Sequence, residues 1–100
     1  MTDFTRKLLT IVTEAALETS LIKVVDSLGA QGYTISDARG KGGRGVRNAR
    51  WEATANIRIE IICDQSTCEK IAMYLKENFY DDYAMILFES DVNVLRPDKF

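Results

Sequence analysis

The order in which the apolar period changes along this chain constrains its fold more than any single residue. Residues 5 to 13, TRKLLTIVT, form a β-branched, apolar run that predicts a first strand. From Glu14 the period lengthens: Leu17, Leu21, Val24, Val25 and Leu28 fall on one helical face. Thr13 is the expected N-cap, and Gly29, followed by Gly32, is the expected left-handed C-cap. From Tyr33 the period drops to two, with Tyr33 and Ile35 alternating with Thr34 and Ser36. Residues 38 to 55 have no apolar period and carry four glycines, which predicts a long loop. A third strand follows, with Ile57, Ile59 and Ile61 on one face and Arg58 and Glu60 on the other. Ser66 and Glu69 have the spacing of a capping box for a second helix, whose stripe is Cys68, Ile71, Ala72, Leu75 and Phe79. Asp81 and Asp82 end it. Tyr83 to Glu89 predict a fourth strand with Ala84, Ile86 and Phe88 on one face, and Val92 to Leu95 a short further one before Pro97.

Strand, helix, strand, strand, helix, strand is the split βαβ order. It predicts a single α+β domain over residues 1–100, with a ferredoxin-like βαββαβ fold and both helices on one face of an antiparallel sheet. Several strands are apolar on both faces, as at Leu8, Leu9, Ile11 and Val12 and again at Ile61 and Ile62. The second face of the sheet is therefore expected to be buried against other subunits.

The formal charge of −2 conceals an uneven distribution. Residues 39 to 58 hold Arg39, Lys41, Arg44, Arg47, Arg50 and Arg58 against Glu52 alone, while residues 59 to 100 hold nine acids and four bases. A concentrated positive segment fits an anion such as phosphate, and a solvated basic loop is the plainer alternative. The chain has no histidine, which removes the commonest general base and metal ligand together and favours a non-enzymatic role. Asp81, Asp82 and Glu89 read as an acidic turn and a strand residue rather than a metal site. Cys63 and Cys68 read as core residues and reduced thiols, and no apolar run has signal-peptide or membrane-spanning length, so a cytoplasmic location is expected.

The sharpest local pattern is Gly40-Lys41-Gly42-Gly43-Arg44-Gly45-Val46-Arg47. Glycines let backbone N–H groups approach an anion, Lys41 adds a point charge, and Arg44 and Arg47 offer planar forks that match phosphate oxygens. The run follows a strand but opens no helix, so it is neither a Walker A loop nor a dinucleotide-binding turn. Trp51 and Arg50, in the same polar segment, are candidate anchors for a partner.

The opening strand ending in V-T-E, the run G-A-Q-G-Y-T-I-S-D before G-K-G-G-R-G-V-R, and F-Y-D-D-Y-A-M-I together resemble the PII-like signalling proteins. The similarity extends from about Arg6 to Val94 and is nearest to the SbtB, carboxysome-associated branch. The resemblance implies a homotrimer with facing sheets, a T-loop at about residues 38–55, and adenine nucleotides bound in clefts between subunits. ADP and AMP are the expected ligands, with ATP and cAMP as further candidates, bicarbonate as a second ligand and no metal requirement. It places Thr34 near adenine, Gly40 and Gly42 at the loop base, Arg44 and Arg47 on phosphate, and Tyr83, Ala84 and Met85 along the base pocket; Lys41 and Gly43 of the same run are nucleotide-binding candidates from their chemistry alone. The implied setting is inorganic-carbon uptake, with a bicarbonate transporter or other membrane protein as partner. Met85 and Ile86 stand where nitrogen-regulatory members keep a glycine and a lysine, and no glutamine follows Arg44, so sensing of Mg-ATP with 2-oxoglutarate is not expected.

Three rival functions share the fold class. An RNA-binding ferredoxin-like module needs aromatics in its central strands, and NIRIEIIC has none. An acylphosphatase-like enzyme needs an arginine-bearing phosphate loop after the first strand, where this chain has V-T-E-A-A. An amino-acid-binding module of the ACT type lacks the long basic loop.

Overall fold

In a computed structural model the described residues are 5–40 and 55–99. The elements in order are β1 (Thr5–Glu14), α1 (Glu18–Ser27), β2 (Thr34–Ala38), β3 (Asn56–Cys63), α2 (Gln65–Asn78) and β4 (Met85–Asn93). Short 3₁₀ turns occupy Ala15–Leu17 and Pro97–Lys99. The four strands form one sheet in the order β2-β3-β1-β4, every pair antiparallel. This is the ferredoxin-like arrangement that the element order predicts.

The register sorts every strand residue onto one of two faces. Leu9 pairs with Ile61 and Glu89, Ile11 with Ile59 and Leu87, and Thr13 with Ile57 and Met85. The side chains of Leu9, Ile11, Ile57, Ile59 and Ile61 are almost wholly buried, in one cluster with Leu21 and Val25 of α1 and Cys68, Ile71 and Leu75 of α2. Both helices thus cover the same face, as the two apolar stripes require.

Local chemistry fixes the ends of the elements, in part differently from the sequence reading. Thr13 is not a helix cap. It stays in β1, fully buried, and its hydroxyl donates to the Ala84 carbonyl at 2.7 Å. Pairing on both sides holds it extended, so a 3₁₀ turn precedes α1, which starts at Glu18. For α2 the N-cap is Asp64 rather than a Ser66–Glu69 box: its carboxylate accepts from the Thr67 amide at 2.8 Å. That amide holds the Asp64 carboxyl below the usual carboxylate range. At the other end of α1, Gly29 has φ 105°, as the C-cap expectation requires. The Gly29 amide donates to the Asp26 carbonyl and the Ala30 amide to the Val25 carbonyl, which is the Schellman arrangement. β2 begins at Thr34, one residue after Tyr33. β4 runs from Met85 through Asn93, so it starts two residues after the expected Tyr83, and of the short strand expected at Val92 to Leu95 only Val92 and Asn93 are strand, as the end of β4.

Both cysteines are buried and free, on β3 and on the core face of α2. The Cys68 thiol lies 3.4 Å from Glu89 Oε2. Lys7 reaches Asp91 at 2.7 Å and Glu89 at 3.6 Å, and these acids raise its pKa.

Candidate functional site

The face of the sheet away from the helices carries the site. Its rows follow from the register. Ala38, Asn56 and Glu14 form the end row, joined to Ala84 just ahead of β4. Next come Ser36, Arg58, Val12 and Ile86, and then Thr34, Glu60, Thr10 and Phe88. Ile62, Leu8 and Ser90 form the row beyond. This face is divided lengthwise. The β2–β3 half is mainly polar, with Thr34, Ser36, Asn56, Arg58 and Glu60. The β1–β4 half is mainly apolar, with Leu8, Val12, Ile86 and Phe88, of which Ile86 is 56% and Phe88 49% exposed.

A cleft of about 580 Å³ opens on the polar half, where the α1–β2 turn passes beside the sheet. Its lining is Leu8, Gln31, Gly32, Tyr33, Thr34, Glu60 and Ile62. The size is that of a small-molecule pocket. The walls are apolar at Leu8 and Ile62 and aromatic at Tyr33. Thr34 and Glu60 face each other across the β2–β3 pair and bring a hydroxyl and a carboxylate to one place. Such a lining suits a flat heterocycle that carries an amino group: stacking and apolar contact for the ring, an acceptor for the amine.

Of the residues expected from the sequence, Thr34 lines this cleft and Gly40 lies two residues beyond the end of β2, where no atom of the described residues stands within 4 Å of an added Cβ. Tyr83, Ala84 and Met85 lie at the start of β4, the opposite edge of the sheet from β2. Three strand spacings separate those edges, about 14 Å, so one protomer does not bring Thr34 and this stretch together. The stretch is firmly held: the Ala84 amide donates to Glu14 Oε2 at 3.2 Å, the Ala84 carbonyl accepts from Thr13, and Tyr83 packs on Phe79 with ring centroids 5.7 Å apart. The same end of β1 reaches the other side of the sheet, for the Ala15 amide donates to the Ala55 carbonyl. Lys41, Gly42, Gly43, Arg44, Arg47, Arg50 and Trp51 lie outside the described residues.

The sequence reading missed Leu8, Gln31, Gly32, Tyr33, Glu60 and Ile62 as cleft residues. They come from three separate segments, and only the alternation of β3, with Glu60 opposite the isoleucine stripe, pointed to one of them. Among the described residues no group of three or more metal-ligating acids and cysteines occurs, and no helix is long and apolar enough to cross a membrane.

Comparison with known proteins bears on this geometry. The family model of the nitrogen regulatory protein P-II matches residues 6–99. A PII-like signalling protein of Thermus thermophilus is 43% identical, with 96% of this chain and 95% of that one covered and a TM-score of 0.81. CPII of Thiomonas intermedia, in its structure bound to ADP, AMP and acetate, is 28% identical over 97% of this chain and 95% of its own, with a TM-score of 0.85. The structure of CPII bound to ADP and bicarbonate gives 26% identity over 97% and 95%, with a TM-score of 0.82. With a family model matched over nearly its whole length on the fold expected of it, this chain belongs to the P-II family, as a PII-like signalling protein.

Proposed function

We propose that this protein is a non-enzymatic regulator that binds an adenine nucleotide on the polar half of its open sheet face and signals through the segment of residues 38–55. The observation that carries the reading is the cleft at Thr34 and Glu60, with apolar and aromatic walls for a base and a carboxylate for an exocyclic amine. Its kinship with CPII, whose structures hold ADP, AMP and bicarbonate, supports ADP and AMP as ligands and bicarbonate as a second one. Arg44 and Arg47, with Lys41 and the glycines around them, are the proposed phosphate ligands from the connecting segment. Arg50 and Trp51 are the proposed contacts to a partner protein.

The apolar β1–β4 half is the proposed contact between copies in a homotrimer. Tyr83, Ala84 and Met85 then reach a nucleotide only across a subunit boundary, because within one chain they lie at the far edge from Thr34. A cytoplasmic setting and a role in inorganic-carbon uptake, with a membrane transporter as target, complete the proposal. RNA binding is disfavoured by the face itself. The central strands present Leu8, Thr10, Val12, Asn56, Arg58, Glu60 and Ile62 there, and none is an aromatic platform for a base.

Isothermal titration of the purified protein with ADP, AMP, ATP and cAMP, with and without bicarbonate, is the test. Saturable binding of at least one nucleotide is expected, with Thr34→Val weakening it about tenfold through loss of a hydrogen bond. Failure to bind any of the four overturns the proposal.

A further inference from the structure

We draw no further inference here: the strongest candidate, the two neighbouring thiols of Cys63 at the end of β3 and Cys68 on the core face of α2, carries nothing, since both are buried and that burial keeps them protonated and out of reach of oxidant and metal alike.

Discussion

Gly29 shows how much one backbone angle can decide. At φ 105° an L side chain is strained, yet the site has room: a Cβ there would meet nothing closer than Thr67 Oγ1 at 4.0 Å. Gly29→Ala should therefore cost only the backbone term, about 1–2 kcal/mol, seen as a lower urea midpoint with an unchanged slope; an unchanged midpoint contradicts this account. Cys68 is governed by its surroundings instead. Burial first, then the neighbouring Glu89, push its thiol up to about 12, and burial also raises Cys63. Below the ordinary thiol range both folded and unfolded chains keep the proton. Between there and pH 12 the unfolded chain loses it and the folded chain does not, so stability should fall as pH rises through that window. Cys68→Ala should flatten the decline in denaturation curves taken from about pH 8 to 11. An equally steep decline in the variant assigns the loss to other groups. The native thiol should also resist alkylation at neutral pH, since the thiolate is the reactive form.

The elements were legible in the sequence wherever burial was one-sided. The isoleucines at 57, 59 and 61 and the stripe through Cys68, Ile71 and Leu75 mark β3 and α2 because each element covers one face of a single core. Element ends were less legible, since caps compete with tertiary partners. Thr13 has the composition of a cap, but cross-strand pairing and the Ala84 carbonyl hold it in β1. Ser66 lost to Asp64, which stands two positions earlier in the chain and whose carboxylate reaches the Thr67 amide. The site was legible in part. Thr34 could be placed by resemblance, whereas the cleft around it joins Leu8, Gln31 and Glu60, which no local spacing connects. The polar side of β3 carried the signal: an acid, a cation and an amide alternate with isoleucines, and only pairing with β2 reveals that they share a surface with Thr34.

For the whole molecule, the lengthwise division of the open face is the feature with the widest reach. Ile86 and Phe88 are large, apolar and about half exposed on a strand at the edge of the sheet. Phe88→Lys should leave the protomer folded, because the side chain is outside the core, and reduce the particle mass in light scattering from three chains to one. A trimer that survives the change places the contact elsewhere.

A ligand site completed by a neighbouring copy has a practical consequence. Every group in the Thr34 cleft can be intact while occupancy is lost, if the completing stretch at Tyr83 to Met85 comes from a neighbour. Apparent nucleotide affinity would then weaken on dilution, and a variant mapped as ligand-defective at β4 would recover when the protein is concentrated.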